Sequence, residues 1–116
     1  MNVRLSEGAV RFRLTDHELP KLHEKGFLCS SVILPGNPSG TELRYLVRLD
    51  RKLTDNKLEV DFIDYTLSVR VSEQAYKELC EQPVSDSGIE VTHKLPENKS
   101  LRCAVQVIKG DAQQTN

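Results

Sequence analysis

Seven of the eight arginines in this 116-residue chain, Arg4, Arg11, Arg13, Arg44, Arg48, Arg70 and Arg102, fall in segments of alternating apolar residues. Each occupies the parity opposite the apolar set, so the strands these segments predict carry arginine on one face and core on the other. The guanidinium is a planar fork suited to bidentate recognition of carboxylate or phosphate, so an arginine-studded sheet face can hold an anion. Glu59 and Asp61 stand at i and i+2 of one predicted strand, share a face, and add metal-ligand or general-base candidates beside the arginines. In a barrel with polar residues inside, the same face would line a tunnel. The structural alternative is that arginine is tolerated on the solvent side of antiparallel strands, where Glu42, Glu59, Asp61 and Glu90 can pair with it across strands. Alternation of this kind is the default for a half-exposed sheet. Because the acidic partners are fewer than the arginines, both readings stay open.

Other reactive residues point nowhere in particular. His17 and His23 are six apart on one helix and do not share a face, and His93 has no Asp, Glu or Cys at ligand spacing, so no metal site is expected. Cys29, Cys80 and Cys103 are odd in number, far apart and in apolar contexts, which reads as free buried thiols and not as a disulfide framework. Surface histidines and core thiols account for all six residues. The loop from Pro35 to Thr41 lacks the lysine and spacing of a phosphate-binding P-loop and reads as a hairpin connection. No cofactor motif is present, and none is expected.

The elements that would position the arginines follow from periodicity and punctuation. Val3 and Leu5, a Glu7-Gly8 turn, and Val10, Phe12 and Leu14 describe a hairpin. Thr15 and Glu18 are spaced as a capping box, hydroxyl to amide and carboxylate back to amide. Pro20 requires the helix to bend there or to begin near Leu19, and Gly26 should end it in the left-handed conformation. Strands follow over Phe27 to Leu34 and Leu43 to Leu49. Residues 51–57 are a polar joint. Beyond it come a hairpin turning at Asp64-Tyr65, a helix capped by Ser72 with a Tyr76, Leu79 and Cys80 stripe, a loop from Gln82 to Gly88, and two last strands.

This second half tracks the first at an offset of 57 residues, with Val3 meeting Val60, Arg13 meeting Arg70, Leu22 meeting Leu79 and Glu24 meeting Glu81. Two ββαββ repeats, residues 1–50 and 58–109, are therefore expected in a single domain spanning 1–110, with 111–116 a disordered tail. One helix over a few strands cannot enclose a core, so the repeats must share one. The expected fold is α+β with a pseudo-two-fold axis: a mainly antiparallel eight-stranded sheet or barrel flanked by two helices, or two packed sheets.

A net charge of −1, from 16 basic and 17 acidic residues, provides no global field for nucleic acid or an anionic membrane. There is no apolar run of membrane-spanning length and no leader pattern, so a cytoplasmic location is expected.

Met1-Asn2-Val3-Arg4, Val10-Arg11-Phe12-Arg13-Leu14-Thr15, Leu43-Arg44-Tyr45-Leu46-Val47 and the stretch from Leu58 to Val71 together resemble a family of short, uncharacterised bacterial proteins that form a domain of unknown function. Its members begin with an M-[KN]-[IV]-R hairpin and carry an R-[FLY]-R-L strand, which Arg4, Arg11 and Arg13 match. They tend to finish in an acidic-aromatic-cysteine segment, whereas Val105 to Asp111 here has neither cysteine nor aromatic. The resemblance implies a bacterial cytoplasmic protein and supplies no activity. The chain then reads first as a non-enzymatic binding or protein-interaction module whose exposed edge strands invite a homodimer or another protein partner. Its rivals are a binding protein or an enzyme for a phosphorylated or carboxylated small molecule on the arginine face.

Overall fold

The computed structural model describes residues 1–36, 40–81 and 88–110. The Pro35 to Thr41 and Gln82 to Gly88 loops fall partly, and the tail expected over 111–116 wholly, outside the described residues. In chain order the elements are β1 (Asn2–Ser6), β2 (Ala9–Thr15), α1 (Glu18–Lys25), β3 (Phe27–Leu34) and β4 (Thr41–Asp50). They are followed by β5 (Leu58–Ile63), β6 (Thr66–Ser72), α2 (Glu73–Glu81), β7 (Ile89–Leu95) and β8 (Lys99–Ile108).

The punctuation acts as its chemistry dictates. Thr15 N–H donates to Glu18 Oε1 at 2.9 Å while Glu18 N–H donates to Thr15 Oγ1 at 3.1 Å, the reciprocal pair of a capping box. The helix begins at Glu18, which puts Pro20 in the first turn, where an amide would have had no helical acceptor. Gly26 closes α1 at φ 86°, its N–H donating to the Leu22 carbonyl at 2.8 Å. Ser72 Oγ caps α2 by accepting from Ala75 N–H at 3.0 Å. The turn at Asp64-Tyr65 holds both residues at positive φ, 52° and 59°, a conformation that suits glycine or asparagine better than tyrosine.

The strands form two four-stranded sheets, ordered β1-β2-β8-β7 and β3-β4-β6-β5. In each, two antiparallel hairpins are joined by one parallel central pair, β2 with β8 and β4 with β6. This corrects the expectation of a single eight-stranded sheet or barrel and leaves the two-sheet arrangement, with antiparallel pairs outnumbering the two parallel ones. The helix following each leading hairpin carries the chain to the other sheet, so the hairpin's inner strand completes its hydrogen bonding with a strand from the far half of the chain. No tunnel forms, and the arginine parity faces outward.

One core lies between the inward faces. Phe12, Leu14, Val47, Leu58, Val69, Val71, Val105 and Val107 from both sheets meet Leu22, Ala75 and Leu79 from the helices, all at 2% exposure or less. Each such side chain, fully buried, contributes roughly 1.5–3 kcal/mol of transfer free energy, except the smaller Ala75. Burial fades toward the hairpin turns: on β5, inward Leu58 is 0% exposed and Phe62 60%, and on β1 Leu5 reaches 67%. The sheets therefore part at that end, where a cleft of about 230 Å³ opens among Val3, Leu5, Val32, Leu43, Tyr45 and Leu67.

Two consequences can be measured. Replacing Asp64-Tyr65 with Asn-Gly, the residues a type I′ turn prefers, should raise unfolding stability by about 1 kcal/mol in a denaturant titration. Glu18 also meets the Met1 ammonium at 2.7 Å. Burial works to raise its carboxyl, but hydrogen bonds from the ammonium and from Thr15 prevail and hold it below its ordinary 4.5. A carboxyl held down in the folded state adds stability that is complete above its unfolded value and lost as pH falls through the folded one. Glu18→Gln can still close the capping box but cannot ionise. Melting curves below about pH 5 should therefore fall less steeply for E18Q than for the parent, while at neutral pH the variant is the less stable of the two.

Candidate functional site

All the arginines singled out by parity are outward, but they divide between the sheets, and the two groups are differently compensated. On the second sheet, Arg44 Nε meets Glu42 Oε1 at 2.9 Å and Arg70 Nη1 meets Asp50 Oδ2 at 3.2 Å. Arg70 also stands opposite Glu59 in the β5–β6 register, and Glu59 accepts from Asn56 Nδ2 at 2.7 Å. Arg48 lies between Phe27 and Arg70, and Asp61 is opposite Ser68. The hydrogen bond from Arg44, aided by Ser31, holds the Glu42 carboxyl below its usual range. The Lys52 amide, against a burial penalty, and then Arg70 do the same for Asp50. Here Arg44 and Arg70 have counter-charges on their own face, whereas Arg48 stands opposite Arg70 and has no acidic partner among the described residues.

On the first sheet Arg4 faces Arg11 directly across β1–β2, and Arg13 faces Asn2. The parallel β2–β8 pair then brings Arg102 opposite Ala9, one row along from Arg11 and Ala104. Among the described residues, Glu90 is the carboxylate in reach of this group of four. It meets Arg11 Nη2 at 3.4 Å, and Arg11 Nη1 donates to Gln106 Oε1 at 3.3 Å. Glu90 is opposite Ala104 on the next strand, so the Arg11–Glu90 pair spans above that alanine, which is outward in register yet only 2% exposed. Arg4 and Arg102 have no acidic partner among the described residues. Arg13 Nε is buried and, among the described residues, has no hydrogen-bond partner. Small Ala9 and Ala104 among long arginines leave a shallow concavity of about 440 Å³, lined by Arg4, Arg11 and Arg102 with Glu90 on its rim.

Chemically this is a cluster of guanidiniums, with Arg11 turned by Glu90 and Gln106 and the others set by their register, over a floor of backbone and methyl groups. Like charges directly opposite on a sheet destabilise it, and a bound phosphate or carboxylate would relieve that repulsion. Glu59 and Asp61, the metal-ligand or general-base candidates of the sequence, share a face with Arg70 and not with this cluster. Sequence reasoning missed Gln106 and the two alanines. A small residue at an outward strand position, where bulk costs nothing, was the available signal.

The remaining reactive groups also differ in part from expectation. Only Cys103 is a buried thiol, its burial pushing the group up to about 12. Cys29 and Cys80 are exposed, Cys29 because it takes the outward parity of an edge strand. His23 stacks on Tyr76 at 5.6 Å. His93 is not a surface residue: it shares the inward parity of Ile89 and Val91, and its Nε2 is buried with no hydrogen-bond partner among the described residues. No cluster of three or more His, Cys, Asp or Glu side chains able to hold a metal occurs among the described residues. No described helix is long and apolar enough to cross a membrane.

The charge imbalance should register in stability. At low salt, Arg4→Ala should stabilise the free protein by a few tenths of a kcal/mol, about 0.2–0.5, by removing a like-charge pair, and the gain should vanish in high salt. Arg44→Ala, which breaks its ion pair with Glu42 along β4, should show no such gain. Denaturant titrations of both variants at low and high ionic strength check the contrast.

No curated protein and no solved structure matches the chain. A family model does match, covering residues 1–108, and the chain belongs to that family of unknown function, DUF7009.

Proposed function

We propose that this protein is a small, non-enzymatic binding module that takes a phosphorylated or carboxylated small molecule in the arginine concavity of its first sheet. One observation carries the reading. Among the described residues, Glu90 is the one carboxylate lining the depression that Arg4, Arg11 and Arg102 share, while Arg44 and Arg70 on the second sheet have Glu42, Asp50 and Glu59 around them. Among the described residues this face has fewer carboxylates than arginines, and an anionic ligand is what such a face binds well.

The enzymatic alternative needed Glu59 and Asp61 beside those arginines; their position on the other sheet favours binding without chemistry. A reducing, cytoplasmic setting in a bacterial cell fits the exposed free thiols of Cys29 and Cys80. An origin by internal duplication is supported by the ββαββ order occurring twice and by two sheets built alike from one hairpin of each half.

Thermal unfolding against pyrophosphate, nucleotides and dicarboxylates tests the proposal. At about a hundred times its dissociation constant a ligand stabilises the fold by about 2.7 kcal/mol, several degrees in a domain of this size. The shift should disappear in the Arg4→Ala, Arg102→Ala double variant and survive in Arg44→Ala, Arg48→Ala. A flat panel, or a shift lost with the second pair and kept with the first, would remove the proposal.

A further inference from the structure

The four sheet edges are not alike. β1 carries Arg4, β5 carries Glu59 and Asp61, and β7 carries Glu90 and Lys94, the charges by which edge strands ordinarily discourage pairing with another chain. β3, Phe-Leu-Cys-Ser-Ser-Val-Ile-Leu, has no charge and no proline in eight residues. Among the described residues it pairs with β4 alone. Phe27, Val32, Ile33 and Leu34 are 48%, 43%, 64% and 44% exposed, nearly half of the large exposed apolar side chains described.

We infer that β3 is a self-association edge, and that two copies of this chain pair antiparallel along it so that their second sheets fuse into one of eight strands. The occupant is a second copy because the strand fits itself. An antiparallel pair related by a two-fold axis through the sheet must keep outward residues opposite outward ones, and a dyad at Ser30 does so. Phe27 then faces Ile33 of the other copy, Cys29 faces Ser31, and Leu28 faces Val32, while serines occupy the centre. The two most exposed outward apolar residues of the strand cover each other, and no charge is buried. A partner with charges on its own edge would lose that match. The contact is small for a permanent dimer, so a concentration-dependent monomer–dimer equilibrium is expected.

Sedimentation equilibrium of the full chain over a concentration series should show the mass rising from 13.1 kDa toward twice that value. Ile33→Lys places an ammonium against Phe27 of the other copy and should weaken association roughly tenfold or more, while its melting curve stays that of the parent because the side chain is exposed in the monomer. Ser31→Cys sets a thiol across from Cys29 of the second copy, about 4.5–5.5 Å between Cα atoms, within disulfide range. Mild oxidation of S31C should give a covalent dimer on a non-reducing gel, and adding Cys29→Ser should abolish it. A chain that stays monomeric up to about 1 mM overturns the inference. So does a dimer that is indifferent to Ile33→Lys and gives no S31C cross-link.

Discussion

The two parallel central pairs, β2 with β8 and β4 with β6, are the constraint on which the rest of this structure depends. Neither half of the chain has a sheet of its own. Each leading hairpin would present an unpaired inner strand and an open apolar face were it not completed by the closing hairpin of the other half. Fifteen buried side chains consequently form one cluster with members from both sheets and both helices. The β2–β8 pairing spans most of the chain, with Arg102 lying 93 positions beyond Ala9, so the loop-closure entropy it costs is returned only when the shared core closes.

That same pairing assembles the candidate site. Arg4 and Arg11 come from one hairpin and are neighbours by local geometry, whereas Arg102, Glu90 and Gln106 arrive from the far end of the chain. A face that is balanced on one sheet and imbalanced on the other cannot be understood from composition, since the whole chain is at −1. What distinguishes the sheets is where the carboxylates land. Glu42 and Asp50 lie on the same strand as Arg44 and Arg48, so they travel with them, while β1 and β2 carry only Glu7, at their turn.

How much of this was legible in the sequence varies with the range of the interaction. The Thr15–Glu18 box, the Gly26 stop, the Ser72 cap and the outward parity of all seven arginines are local, set within a turn or by the two-residue period of a strand. Which strands become neighbours is not local: nothing in Ala9–Thr15 or Lys99–Ile108 announces a parallel partner, and half-exposed strands look alike whether they close a barrel or build two sheets. The exposure of Cys29 was misread for the same reason. Its parity was visible, but the edge position of β3 was not. His93 went wrong through its polarity, although Ile89 and Val91 already marked its parity as inward.

The proposal that an anion is taken by the first-sheet arginines and not by those of the second sheet is most directly tested at the side chains themselves. Arginine Nε–H signals in ¹H–¹⁵N spectra of the protein, assigned by single substitution, can be followed through a titration with pyrophosphate at low salt. Signals of Arg4, Arg11 and Arg102 should move together and saturate, while those of Arg44, Arg48 and Arg70 stay in place. Equal movement on both sheets would mean that the anion senses only surface charge, and movement confined to the second sheet would contradict the site outright.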